Sequence, residues 1–434
     1  MINEELTKQI LIEQRDLLKA TPGFVEREVL KEISKIISIK HIVAVTGHRR
    51  SGKSVLLSQI IRKFYGKENV FYVNFDDERF IGLEVRDLNE LMKIQMMLFG
   101  EKKIIFLDEI QNIDKWERFV SRLYNEGYKI YITGSNAKLL SSELATLLTG
   151  RHMDIEVYPF SFTEFLKYKG IEVKEKMLYR TSGQAKLRNY FDVYLHNGGF
   201  PEVVQSGYID ILKELFTDVI MKDVIRRYEI RDIRIMDEVA HFLLSNAAKE
   251  FSYNRIKNIY GLGSLHTAKN YTKYLESTFM FYELPRFSHA VKEMQGKVKK
   301  IFAVDNGLIK AIGFSSSADI GRLYENIVFM ELKRGQKEFY YYKEKTGEEA
   351  DFIIKKGREI RECIQVCYKI DEFDTRKREI SGLLKAVEEF KLNKGTIITA
   401  DKEESITEKG KKIEFIPLWK WLLNKKSDLR SARF

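Results

Sequence analysis

The sequence predicts an α/β protein whose first part is a parallel sheet covered by helices on both faces. Two observations predict it. Short apolar runs alternate with amphipathic stretches over residues 1–165. Four of the five runs are also unbroken rather than alternating, the pattern of a parallel sheet covered on both faces. Ile42–Val45, Val70–Val73, Ile104–Leu107, Ile130–Ile132 and Ile155–Val157 are the five expected strands.

Three further stretches follow by pattern. Residues 166–240 look mainly helical, 241–290 carry two short helices and a hairpin-like tail, and 291–434 mix strand and helix. A chain of 434 residues fits about three domains. With 44% hydrophobic and 32% charged residues it can build real cores. No run reaches the roughly 18 apolar residues of a membrane helix, and Met1–Glu5 lacks the grammar of a secretory signal, so a cytoplasmic chain is expected. Cys363 and Cys367 are too few and too close for a disulfide framework or a zinc cage; two reduced, buried thiols are expected. The net charge of +11 favours a polyanionic partner such as DNA, although the basic residues are interspersed with Asp and Glu.

Gly47-His48-Arg49-Arg50-Ser51-Gly52-Lys53-Ser54 fits G-x-x-x-x-G-K-[ST] at every fixed position, between an apolar strand and the helical Val55–Ile61. The glycines let backbone N–H groups curl around phosphate oxygens, and the helix N-terminus adds a favourable dipole. Lys53 is expected to reach the β- and γ-phosphates of ATP, and Ser54 to hold Mg²⁺. Lys103–Glu109 is an apolar strand that ends in Asp108 and Glu109. A buried parallel strand delivers its C-terminal residue to the ligand crevice. Asp108 can then orient the Mg²⁺ shell, and Glu109 is the natural base for the attacking water.

One strand, around Val70–Asn74, separates these motifs in sequence. That order, with Glu beside the Mg²⁺-binding Asp, resembles the additional-strand, catalytic-glutamate type of P-loop NTPase sheet, and within it the AAA+ class. By that resemblance Ser135 or Asn136, after the next strand, touches the γ-phosphate or the water; each would equally serve as a helix N-cap. Arg151, expected to end the helix through Leu147-Leu148-Thr149-Gly150, can stabilise phosphoryl charge in cis or across a subunit interface, or simply cap that helix.

The motifs above, with Phe71–Asp77, Tyr158–Phe165, Asn197–Glu202 and Val304–Leu308, resemble a family of archaeal and bacterial AAA+-type ATPases. Its members carry a winged helix and a C-terminal restriction-endonuclease-like domain of unknown function. The resemblance covers nearly the whole chain and implies ATP binding with a DNA-related or regulatory role.

Phe251–Pro285 supports a helix–turn–helix on its own terms. Ser252 can cap a helix through Ile259, Gly261–Gly263 can turn, and Ser264 can cap the next helix. On that second helix Leu265, Ala268 and Leu275 share one face, and His266, Lys269, Asn270 and Lys273 the other, suited to DNA contact or to packing. Phe279–Leu284 would form the wing. Farther on, Glu325 and Asp351 match the carboxylates of a nuclease site, D…(E/Q)-x-K, Gln365 is tolerable at its E/Q position, and such a site also needs a lysine to activate water. Cys367 stands where that lysine should be, with Lys369 on the same strand face as a displaced substitute. A degenerate nuclease-like domain over 291–434 is expected.

Three functions remain open: a DNA-coupled ATPase, a slow nucleotide-gated regulator acting by binding, and an ATP-licensed nuclease. Monomer, dimer and ring, the last two homo-oligomers, all fit these motifs.

Overall fold

The computed structural model describes residues 3–18, 25–136, 150–288, 298–313, 320–344 and 347–424. They form two compact units: one of Met1–Tyr158 with Ser277–Phe279, the other of Pro159–Glu276 with Met280–Phe434.

The first unit is a five-stranded parallel sheet of β1 (Ile42–Thr46), β2 (Val70–Asn74), β3 (Ile104–Asp108), β4 (Lys129–Gly134) and β5 (His152–Glu156), in the order β2-β3-β4-β1-β5. The strands fall where apolar runs predict them, except that β5 starts three residues earlier than its apolar run. Alternation of side chains sorts each strand between two cores. Ile42, Ala44, Val73, Ile105, Leu107, Ile130 and Ile132 pack with α1 (Glu4–Leu17), through Ile10 and Leu11, and with Asp87–Phe99 and Trp116–Asn125. Val43, Val45, Phe106 and Tyr131 face the other way, onto α2 (Leu30–Ile36) and α3 (Lys53–Ile60). Burial of each such side chain contributes about 1.5–3 kcal/mol. β4, later in sequence than β3, lies between it and β1, so its C-terminal tip is flanked by the two nucleotide motifs.

The second unit begins with helices. α4 (Phe162–Tyr168) starts at a reciprocal cap: the Ser161 hydroxyl accepts the Glu164 N–H, and the Glu164 carboxylate accepts the Ser161 N–H. Thr181–Asn197, Ile211–Asp218 and Ile233–Ser245 continue the helical run. Two of the sequence motifs then meet. The Asp305 carboxylate accepts the Gly199 N–H at 2.7 Å and the Gly307 N–H at 2.8 Å. A side chain at Gly198 would place Cβ only 1.7 Å from an Asp305 oxygen, so glycine is required there. Asn197–Glu202 and Val304–Leu308 are therefore halves of one buried structural knot.

The helix pair α5 (Tyr253–Ile259) and α6 (Leu265–Glu276) is capped as expected, Ser252 accepting from the Arg255 N–H and Ser264 from the Thr267 N–H. It sits beside an antiparallel sheet of β6 (Lys249–Phe251), β7 (Phe281–Pro285) and β8 (Lys299–Ala303), ordered β6-β8-β7. The last sheet is mixed: β9 (Glu338–Lys343), β10 (Glu349–Lys356), β11 (Glu359–Val366), β12 (Lys394–Thr399), β13 (Glu404–Glu408) and β14 (Lys411–Pro417), ordered β13-β14-β12-β11-β10-β9. α7 (Ile320–Arg334) and α8 (Phe373–Glu389) accompany it. Cys363 and Cys367 are buried and unbridged, and burial pushes both thiols up to about 12. Among the described residues no helix is long and apolar enough to cross a membrane.

Candidate functional site

The C-terminal ends of β1, β4 and β3 carry one constellation. Gly47 leaves β1 with φ 137°, and a Cβ there would lie 2.1 Å from the Val157 carbonyl oxygen. Only glycine allows the turn. The loop closes at Lys53, the first residue of α3. The Lys53 side chain is buried, and its Nζ lies 3.3 Å from the Gly47 carbonyl, 3.4 Å from the His48 carbonyl and 3.4 Å from Glu109 Oε1. Ser54, one position on, is exposed, and its side chain is near enough to Asp108 to act on that carboxyl. Thr46 Oγ1 and Ser51 Oγ are buried without a hydrogen-bond partner among the described residues.

Asp108 ends β3 and is fully buried. Burial and the neighbouring Glu109 push its carboxyl up, against hydrogen bonds from Thr133, Ser54 and Tyr72. Glu109 turns the chain in a left-handed conformation, φ 52° and ψ 42°. Burial alone would push its carboxyl up, but Lys53 and a hydrogen bond from Gln111 hold it below the ordinary value. Glu109 is thus an ionised acceptor beside the phosphate-loop lysine. Ser135 and Asn136, both buried, follow the tip of β4 between β1 and β3, and Asn136 Nδ2 lies 3.4 Å from Ser277 Oγ. Within the loop His48 is fully buried, and burial pushes it down to about 4, so it is neutral at pH 7. Arg49 and Arg50 complete the turn, Arg50 at φ 61°.

Arg151 is not brought to this constellation. Its carbonyl accepts the N–H of Ile42, the first residue of β1, whereas Gly47 follows the last. At about 3.3 Å per strand residue the two ends are roughly 15 Å apart. The Arg151 guanidinium lies over Tyr124 instead, 5.6 Å from the ring centre. Within its own chain Arg151 therefore flanks the N-terminal edge of the sheet, at the opposite end of β1 from Gly47–Ser54. The expected helix before it, Leu147–Gly150, lies largely outside the described residues.

A second cluster lies in the other unit. Lys300, on β8, places its ammonium 2.8 Å from Glu325 on α7, 2.6 Å from Glu349 and 2.9 Å from Asp351 on β10. Burial alone would push this lysine down, but Asp351, Glu325 and Glu349 hold it well above its ordinary value. Glu325 itself is pushed up by burial and by Asp351. Gln365 stands behind Asp351: its Oε1 accepts the Asp351 N–H at 3.1 Å, and its Nε2 donates to Glu379 at 2.6 Å. The carboxylates expected from sequence do converge, but the lysine that joins them is Lys300. Lys369 is corrected, since it is exposed and only its carbonyl bonds back, to Cys367.

On α6, His266, Lys269 and Lys273 are exposed and Asn270 is half-buried, with Ala268, Thr272 and Leu275 packed inward. Leu265, expected on the inner face, is 46% exposed because it opens the helix.

Residues 39–166 match the AAA domain family, 188–318 a domain of unknown function (DUF8612), and 320–421 another (DUF4143). Over 414 residues the chain is 36% identical to the uncharacterized protein MJ1544 of Methanocaldococcus jannaschii, covering 91% of each. Over 413 residues it is 33% identical to an uncharacterized protein of Haemophilus influenzae, covering 91% of this chain and 97% of that one. The chain belongs to this family of AAA-domain proteins. Among solved structures, Cdc6p from Pyrobaculum aerophilum covers 71% of this chain and 97% of its own length at 12% identity and a TM-score of 0.25, too slight a likeness to carry argument.

Sequence reasoning missed one more support of the AAA domain's loop. Arg27 is buried, and its guanidinium donates to the carbonyls of Ser51 at 2.9 Å and Tyr158 at 2.6 Å. Its own N–H is accepted by Gln59 of α3. No local pattern marks it.

Proposed function

We propose that this protein binds ATP with Mg²⁺ on the loop Gly47–Ser54 and hydrolyses the γ-phosphate, Glu109 acting as the base. The convergence of Lys53, Ser54, Asp108 and Glu109 at one sheet edge supports this most directly. The residues present fit both groups: a glycine-shaped cradle, a buried lysine beneath it, and the Ser54 hydroxyl beside Asp108. Ser54 and Asp108 would hold Mg²⁺, which when bound supplies positive charge against the phosphate oxygens. Lys53 exchanges its distant carbonyl contacts for the phosphates. Glu109 orients the attacking water and accepts its proton. Ser135 or Asn136 contacts the γ-phosphate or that water. Arg151 acts on the nucleotide of a second copy in a homo-oligomer.

Nucleotide binding and turnover test this reading. Lys53→Ala is expected to abolish tight nucleotide binding. Glu109→Gln should bind ATP and lose roughly 10²–10⁴-fold in turnover. Glu109→Gln turning over at the wild-type rate would remove Glu109 from the role of base.

In the same reading α5, α6 and the β7–β8 hairpin form a winged helix that presents His266, Lys269, Asn270 and Lys273 to DNA, and nucleotide state repositions it. ATPase rates against single-stranded, duplex and branched DNA decide this. Rates near zero and insensitive to every DNA, from a folded protein, favour the nucleotide-gated regulator.

One observation favours the nuclease reading: Lys300 restores a lysine to Glu325 and Asp351. Against it, all three carboxylates around Lys300 are engaged by that one ammonium, and we take the site as closed and structural. Cutting of supercoiled DNA with Mn²⁺, abolished by Asp351→Ala, would reverse that choice.

A further inference from the structure

The two acidic residues at the tip of β3 depend on hydroxyls from the strands on either side. Thr133, on β4, is fully buried. Its hydroxyl accepts the Glu109 N–H at 2.8 Å and bonds Asp108 Oδ1. A threonine hydroxyl carries a single proton. Donation to the Asp108 carboxylate therefore uses that proton and leaves a lone pair for the Glu109 N–H. The other oxygen, Asp108 Oδ2, accepts the Tyr72 hydroxyl from β2 at 3.0 Å. Asp108 is thus gripped through both oxygens, and the Glu109 backbone is tied to the same atom that grips one of them.

The tie at Glu109 matters because its backbone sits at φ 52°, a region that residues with a side chain rarely adopt. Neighbouring structure must hold such a conformation. The turn sends the Glu109 side chain back toward Lys53 rather than along the strand. Loss of the Thr133 hydroxyl would leave the Asp108 carboxylate held, of the two flanking strands, from the Tyr72 side alone and the Glu109 N–H without its acceptor.

We propose that Thr133 is a positioning residue of the hydrolytic site: its one hydroxyl sets Asp108 for the metal and Glu109 for the water, with Tyr72 bracing Asp108 from the opposite strand. This rests on the ATPase reading above and names the side chains that make it precise. Partners one step behind a metal ligand are typically worth about 10- to 100-fold in metal affinity or activity.

The test separates metal binding from turnover in the full chain. Mn²⁺ is titrated into protein carrying a non-hydrolysable ATP analogue and followed by electron paramagnetic resonance; ATPase rates are measured in parallel at saturating Mg²⁺. Thr133→Val is expected to weaken Mn²⁺ binding roughly 10- to 100-fold and to lower kcat by a similar factor, with KM for ATP changed less. Thr133→Ser should restore both. Tyr72→Phe, which removes a hydrogen bond to Asp108 and none to Glu109, should weaken Mn²⁺ binding and lower kcat less than Thr133→Val does. If valine misfolds, Thr133→Ala serves the same comparison. Wild-type Mn²⁺ affinity and kcat in Thr133→Val, or a serine variant no better than valine, overturns the proposal. Wild-type protein that binds the analogue and Mn²⁺ but never turns over ATP overturns the hydrolysis reading instead, and the binding arm then decides the role of Thr133.

Discussion

Two lysines of this protein are about equally buried and could hardly be held more differently. Lys53 is 5% exposed and Lys300 4%. Lys53 has two carbonyls and one carboxylate, all at 3.3–3.4 Å. Lys300 has three carboxylates at 2.6–2.9 Å and the Tyr341 ring 5.5 Å away. Burial alone therefore does not distinguish a lysine prepared for a ligand from one that is saturated. The first can exchange weak contacts for phosphate oxygens at little cost. The second cannot leave without stranding the buried Asp351 and the partly buried Glu325 and Glu349, and the cost of uncompensated charge there dominates.

The largest effect should come from breaking the saturated partner. Lys300→Met is expected to destabilise the second unit by about 3–5 kcal/mol, measured by denaturant unfolding, while nucleotide binding persists. Lys53→Met should do the reverse, losing nucleotide with little loss of stability. If Lys300→Met unfolds at the wild-type midpoint, the contrast between the two sites fails.

A second test sharpens the phosphate-loop side. His48 is held neutral, with its pKa pushed from 6.5 to about 4. Below pH 6.5 the unfolded chain takes up a proton that the folded chain refuses. Stability is therefore fully present above about pH 6.5 and falls as pH drops toward 4, by about 3 kcal/mol in all. The difference in stability between wild type and His48→Gln, followed from pH 7 to 4, should trace that loss. A difference flat with pH means that His48 accepts its proton in the folded state.

The smallest effect is expected on α6, where exposed lysines are tied to neither site. Lys269→Ala with Lys273→Ala should leave stability unchanged and reduce the salt dependence of DNA affinity by roughly two in log–log slope. An unchanged slope would remove these residues from the DNA contact proposed above.

The phosphate loop was legible because its requirements are local: glycines at fixed spacing, a strand before and a helix after. Asp108 and Glu109 were legible for the same reason, as were the Ser252 and Ser264 caps, whose bonds span three residues. Leu265 shows the limit, because helical periodicity does not say that the first turn projects past its packing partner.

What the sequence by itself determined was thus the sheet, its nucleotide-facing edge and the residues carried on that edge, because short-range patterns encode strands, turns and caps. Tertiary structure alone decided what stands beside those residues. Arg27 meets Tyr158 across 131 positions, Thr133 meets Asp108 across 25, and Lys300 meets Asp351 across 51. It also placed Arg151 at the opposite end of β1 from the Gly47–Ser54 loop, and put Lys300 where sequence spacing suggests Lys369. Charges and hydroxyls find partners through the packing of distant strands, and spacing along the chain carries no record of that packing.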